Sequence, residues 1–454
     1  MPKRELLITA GCGEWRAALL EQGVPVELYV ERGDGSETGS IHLGRVRQLV
    51  PALGAALVDI GSDRPGFLPQ RDVVPRGSRL HEGERVIAQV RREAQGGKAA
   101  RLTMSVTLRG RFGELILGAD GAPHPPASRV PPSPRSRREG RGEGHLTAAL
   151  RAIEAAPTDV LNAESAVLRR CWQDILERAA RLNPPARLHP MATFAGALNG
   201  AVPAAPSRIV VDDPAAMPEI RAAFAGAAVE WLAESEWPIA LDSIFAEALS
   251  QTVPLPGGGS VHFEATRAAT LIDVDSGVPV TGAPERVAFA TNLAAAAAIA
   301  RHIRLRNLGG GMVVDFVGLD TRASRDKLRV AFAEALAADP ASPRVLGWTR
   351  LGHLELVRPR RGRPLAEALL EPGSGGALVK TAVTVAHEAL RALRREARSQ
   401  PGRQWRLVTA PQVAAALSGV AAVAVAEAER RFARKIAITA ESGHDRERFQ
   451  ISTL

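Results

Sequence analysis

Three aspartates in one stretch of the chain have the type and spacing to do chemistry. In Leu271-Ile272-Asp273-Val274-Asp275-Ser276-Gly277, the two-residue period of a strand puts Ile272 and Val274 on one face. Asp273 and Asp275 then share the opposite face. An Ala-rich, helix-forming stretch from Pro284 to Leu308 follows, closed by Gly309-Gly310-Gly311. Met312-Val313-Val314-Asp315-Phe316-Val317 then reads as a buried strand holding one carboxylate. A strand–helix–strand unit of this length makes its strands parallel through a right-handed crossover, so Asp273 and Asp315 can face one another. An ionised carboxylate in an apolar strand is costly unless paired or bound to a metal. Two or three carboxylates with no nearby Lys or His suit a hard cation held by oxygen, Mg²⁺ or Mn²⁺. From spacing alone, pairing of Asp273 or Asp315 with an arginine competes with that reading. Asp275, standing before Ser276-Gly277, is also a good turn residue.

The elements around this unit read as α+β and multidomain, since 454 residues exceed one ordinary core. Glu5 to Arg32 predicts strand, helix, strand, with the helix over Glu14 to Glu21; these need a partner sheet from elsewhere in the chain. From Gly39 to Leu117, short strand-like runs (Ser40–Val50, Ala55–Ile60, Gly66–Leu68, Arg85–Val90, Leu102–Met104) alternate with turn signals, as in a small closed barrel. Residues 121–145 turn rich in Pro, Ser, Arg and Gly and read as a loop or linker. Leu146 to Leu182 has a helical pattern. Arg208 to Val211 predicts a strand leading into a helix from Pro214 to Phe224. The last stretch predicts a helix from Leu378 to Ala397, a strand at Arg406–Val408, a helix from Pro411 and a final strand near Ala437-Ile438, a small α/β unit.

Charge favours a polyanionic partner: 58 Lys and Arg stand against 49 Asp and Glu, a net charge of +9. Nearly all of the positive charge is arginine, which a GC-rich genome would also produce, so charge is supportive only. No run of eighteen apolar residues spans a membrane and no signal segment is evident, so the expectation is a cytoplasmic protein with no membrane partner. Cys12 and Cys171 are the only cysteines and make no Cys-x-x-Cys pair.

Several phrases together resemble the ribonuclease E/G family over nearly the full length. They are Ala55-Ala56-Leu57-Val58-Asp59-Ile60-Gly61, Gly66-Phe67-Leu68-Pro69, Gly97-Lys98-Ala99-Ala100-Arg101-Leu102-Thr103 and Pro256-Gly257-Gly258-Gly259-Ser260. The aspartate phrases, Thr291-Asn292-Leu293 and Arg304-Leu305-Arg306-Asn307-Leu308-Gly309-Gly310 complete the set. The resemblance implies an RNase H-like subdomain (1–34 with 203–250) interrupted by an OB-type barrel (35–120) and a sensor-like region (146–202). A DNase I-like catalytic subdomain (251–370) and a small C-terminal domain (378–454) would follow. It implies a Mg²⁺ ion on Asp273 and Asp315, with Asp275 as a further catalytic residue, and single-stranded RNA as substrate, cut to leave 5′-phosphate and 3′-hydroxyl ends. Phe67 and Lys98 match positions that stack on a base and touch the backbone, although Phe67 could equally be core.

Four departures from the family pattern matter. Asp275 stands where the family has Asn, and Leu57 where it has Phe. Leu161-Asn162 replace the Arg-Thr pair that reads a 5′-monophosphate, so 5′-end sensing is expected to be lost. Residues 371–377 hold no cysteine where the family has its zinc link, so no zinc is expected and a homo-oligomer stays open. The leading expectation is a Mg²⁺-dependent endoribonuclease. The alternatives are a catalytically inactive RNA-binding scaffold of the same family and a DNA-processing enzyme.

Overall fold

The computed structural model describes residues 3–32, 39–62, 64–92, 94, 99–110, 113–117, 148–152, 158–189, 193–202, 206–277, 284–374 and 376–454. The 121–145 segment and Lys98 lie outside the described residues. The fold is α+β, in two compact units: Met1–Asp34 with Val202–Leu454, and Gly35–Ala201.

The first unit begins with β1 (Arg4–Thr9), β2 (Glu14–Glu21) and β3 (Val24–Arg32), an antiparallel meander. The helix expected at Glu14–Glu21 is therefore a strand. Its Ala and Leu are good helix formers, but β2 is the middle strand of the meander and is buried along nearly its whole length. Tertiary burial outweighs a propensity difference of a few tenths of a kcal/mol per residue.

The second unit carries β4 (Ile41–Val50), β5 (Ala55–Asp59), β6 (Gly66–Pro69), β7 (Arg85–Arg92) and β8 (Arg101–Thr103). They run in the order β4-β5-β6-β8-β7, and β7 returns to β4, which closes an OB-like five-stranded barrel around Val46, Val58, Leu68, Val86 and Leu102. A three-stranded sheet follows from β9 (Val106–Arg109), β10 (Gly113–Leu117) and β11 (Ala148–Ala152), then α1 (Thr158–Arg181), β12 (Ala186–His189) and α2 (Phe194–Ala201). The helical pattern over 146–182 thus begins with a strand, because residues 148–152 pair antiparallel with β10 before the helix starts.

Back in the first unit, β13 (Arg208–Val211) joins β1 in parallel, followed by α3 (Met217–Ala223), β14 (Ala228–Trp231) and α4 (Leu241–Leu249). Next come β15 (Thr252–Pro254), β16 (Ser260–Ala265), β17 (Thr270–Asp275), α5 (Pro284–Leu305), β18 (Gly310–Asp315), α6 (Arg322–Leu336), β19 (Arg344–Trp348) and β20 (Leu354–Arg358). The strands form one sheet, ordered β15-β16-β17-β18-β20-β19. Its inner face packs Val261, Ile272, Val274, Met312, Val314 and Leu354 against Ala295, Ile299 and Ile303 of α5 and Leu328 and Phe332 of α6. Each of the larger side chains among them is worth roughly 1.5–3 kcal/mol of burial.

A short helix α7 (Leu365–Leu369) leads into a hairpin, β21 (Leu370–Pro372) and β22 (Leu378–Lys380), across the 371–377 stretch. Then come α8 (Ala382–Ser399), β23 (Trp405–Thr409), α9 (Pro411–Ser418), α10 (Ala422–Phe432), β24 (Ile436–Ala440) and β25 (Phe449–Thr453). The helix expected from Leu378 starts only at Ala382, because residues 378–380 pair with β21. Strand β25 was not anticipated; it pairs antiparallel with β23. Among the described residues, no single helix is long and apolar enough to cross a membrane.

Candidate carboxylate site on an exposed sheet face

Strand β17 alternates buried and exposed as its sequence requires, with Leu271, Asp273 and Asp275 outward. Across the parallel β17–β18 ladder, Asp273 is the Cα partner of Asp315, the last residue of β18. Adjacent strands lie about 4.8 Å apart, so the two carboxylates share one row. Both face solvent. No arginine or lysine among the described residues pairs with either of them, which removes the competing reading as an arginine partner.

The row extends further. His262 of β16 is the partner of Asp273, and His353 stands one step beyond the Val314–Leu354 pair, next to Asp315. The row reads His262–Asp273–Asp315–His353, so the expectation of carboxylates with no histidine nearby is corrected. A lone His in a hairpin far along the chain carries no local signal; strand order alone brings it here. His353 Nδ1 lies 3.1 Å from Asp315 Oδ1, an ion-pair contact without hydrogen-bond alignment. His262 Nδ1 is 3.1 Å from Thr252 Oγ1.

Asp275 stands apart from this row. Its Oδ1 accepts from Gly277 N at 2.9 Å, the turn role open to it from sequence. The turn is tightly backed: a Cβ on Gly277, at φ +70°, would sit 1.9 Å from Gly258 O, and one on Gly259 would sit 2.5 Å from Asp275 O. The Pro256–Ser260 phrase is therefore a backing for the end of β17. At the end of β18, Asn292 of α5 is fully buried and closes on Val317, donating to its carbonyl at 2.8 Å and accepting from its N–H at 2.9 Å. That clamp fixes the chain two residues beyond Asp315.

The Arg304–Asn307 phrase is structural. Arg304 pairs with Glu21 and Glu27, Arg306 lies over the Phe263 ring, and Asn307 donates to the carbonyls of Arg361 and Arg363. In the barrel, Phe67 is half-buried, opposite Leu57 and beside Arg101, while Arg101 pairs with Asp72. Leu161 and Asn162 are the fourth and fifth residues of α1.

Asp273 and Asp315 offer only oxygen donors, unpaired with any Lys or Arg among the described residues, which suits a hard divalent cation. Among the described residues no group of three or more His, Cys, Asp or Glu side chains is arranged to hold a metal. That still fits Mg²⁺, which takes one or two carboxylates and completes its shell with water and substrate phosphate.

The fold and site define an α+β protein with an OB-like barrel in one unit and a solvent-facing aspartate pair on a sheet in the other. The sequence profile described as Ribonuclease E/G family matches residues 147–361. Ribonuclease G of Escherichia coli (strain K12) is 27% identical over 489 residues, covering 98% of this chain and 99% of that protein. Ribonuclease G of Salmonella typhimurium is 27% identical over 486 residues with the same coverage. Ribonuclease E of Nostoc sp. is 32% identical over 397 residues, 79% of this chain and 57% of that longer protein. The chain belongs to the ribonuclease E/G family.

Proposed function

We propose that this chain is a Mg²⁺-dependent endoribonuclease that cuts single-stranded RNA in RNA processing or decay, leaving 5′-phosphate and 3′-hydroxyl ends. The observation that carries this reading is the register pairing of Asp273 with Asp315 on an open sheet face, in a chain similar to ribonuclease G along its whole length. Mn²⁺ is the alternative ion. A cation held by the two aspartates would polarise a phosphoryl oxygen and promote attack by water. The protein's own part is positional: the parallel ladder fixes the carboxylate spacing, the Asn292 clamp fixes the exit of β18, and the exposed face leaves both carboxylates open to a substrate.

Exposed Arg350, in the turn before His353, is suited to a neighbouring phosphate. In the barrel, Phe67 would stack on a base and Lys98 touch the backbone. In this reading the subdomains are RNase H-like (1–34 with 203–250), OB-type (35–120), sensor-like (146–202), DNase I-like (251–370) and C-terminal (378–454). The protein works in the cytoplasm by internal entry, indifferent to the 5′ end, because Leu161 and Asn162 lack the charge to hold a monophosphate.

The test is cleavage of a short single-stranded RNA bearing 5′-hydroxyl or 5′-monophosphate, with Mg²⁺ or EDTA. Wild type should cut both alike with Mg²⁺ and neither with EDTA. Asp273→Asn and Asp315→Asn should abolish cutting with unchanged thermal midpoints, since both side chains are exposed. Undiminished cutting in either variant sinks the site. RNA retained without any turnover by wild type would point to the inactive scaffold instead.

A further inference from the structure

The two histidines that bracket the aspartate pair are held differently. His262 has Thr252 Oγ1 within hydrogen-bond distance of Nδ1. His353 Nδ1 is shut off from solvent and has no hydrogen-bond partner of good geometry among the described residues, although it stands 3.1 Å from Asp315 Oδ1. A shielded ring nitrogen without a partner is a cost that a modest ring rotation would remove, by taking Asp315 Oδ1 as acceptor. The backbone beneath the ring is fixed, with His353 N donating to Thr349 Oγ1 at 3.1 Å and Thr349 N donating to His353 O at 2.8 Å. Asp315, by contrast, ends its strand, is 57% exposed at the side chain, and has no other ion pair among the described residues.

We propose that His353 is a positioning residue: its Nδ1–H, supplied from a rigid hairpin, orients the Asp315 carboxylate and so sets the affinity of the Asp273–Asp315 pair for a divalent cation. Groups that hydrogen-bond a ligating side chain orient it and typically change metal affinity by 10–100-fold when removed. The inference rests on the reading of Asp273 and Asp315 as metal carboxylates given above.

The test is Mn²⁺ binding to the full chain, followed by electron paramagnetic resonance of the free ion without RNA. His353→Leu removes the donor and should weaken binding by about tenfold or more. His353→Asn, whose amide nitrogen can occupy the place of Nδ1, should restore most of it. Wild-type affinity in His353→Leu overturns the proposal, as does a loss that His353→Asn fails to restore. Asp315→Asn separates the two claims. If it binds Mn²⁺ like wild type, the metal reading itself falls. If it loses Mn²⁺ while His353→Leu keeps it, only the positioning role falls.

Discussion

Asn292 acts on Asp315 from two residues away. Its amide bonds both backbone groups of Val317. Asn292→Ala should cost about 1–3 kcal/mol, the usual penalty for stranding buried partners, and should lower kcat more than it raises KM. A urea midpoint and turnover equal to wild type would refute the clamp. His302, on the same helix, makes a pH prediction. Burial first, then the guanidiniums of Arg306 and Arg301, push its imidazole from 6.5 down to about 3, with Glu247 opposing. Its Nδ1 accepts from Arg306 Nε, which requires the neutral ring. The unfolded chain therefore takes up a proton near pH 6.5 that the folded chain refuses until about 3. Stability from this group is whole above 6.5 and is lost as pH falls through that window, by at most about 1.4 kcal/mol per pH unit. Urea midpoints at about pH 7 and about pH 5, with the His302 ring followed by NMR, would check it; a ring that titrates near its ordinary value contradicts the burial argument.

At the scale of elements, the end of β17 depends on two backbones passing almost in contact. Gly277→Ala would force a Cβ into Gly258 O from a left-handed backbone, so it should cost more than the about 1 kcal/mol of positive φ alone. Cleavage should fall with it, because Asp275 and then Asp273 would be displaced; an unchanged thermal midpoint would show that the turn yields freely. This scale also explains what the sequence made legible. The β17–α5–β18 unit was readable because two local periodicities and one handedness rule put Asp273 and Asp315 on neighbouring parallel strands, where they can face one another; the register itself comes from the sheet. The barrel was readable from its closely spaced turns. Residues Glu14–Glu21 were not, because Glu-Trp-Arg-Ala-Ala-Leu-Leu-Glu has helical composition and only the flanking strands make it a strand. His353 was not, because its place depends on β20 lying next to β18, a pairing that no local pattern encodes.

At the scale of the whole first unit, buried charge ties the chain's two ends together. Glu14 of β2 is buried; burial opposes its ionisation, yet Arg16, Arg391 and Arg32 hold its carboxyl well below the usual range. Asp212, just past β13, is fully buried and meets Arg394, while Asp213 meets Arg431 of α10. Arg391 and Arg394 both come from α8, whose apolar residues Val385, Ala389, Leu390 and Leu393 pack in one cluster with Cys12 from the β1–β2 turn. A buried ion pair adds little over apolar packing, but removing one partner leaves an uncompensated charge, at about 3–5 kcal/mol. Arg394→Ala should therefore destabilise the unit by about that amount, and a chain ending before α8 would strand Asp212 and take Arg391 from Glu14, which would keep only Arg16 and Arg32. That shortened chain should lack a cooperative thermal transition and native near-ultraviolet circular dichroism. In the intact chain, amides of β1–β3 and α8 should exchange at matching rates under native conditions. A shortened chain that unfolds cooperatively would mean instead that the C-terminal elements are a separable domain and that the arginines are dispensable to the first sheet.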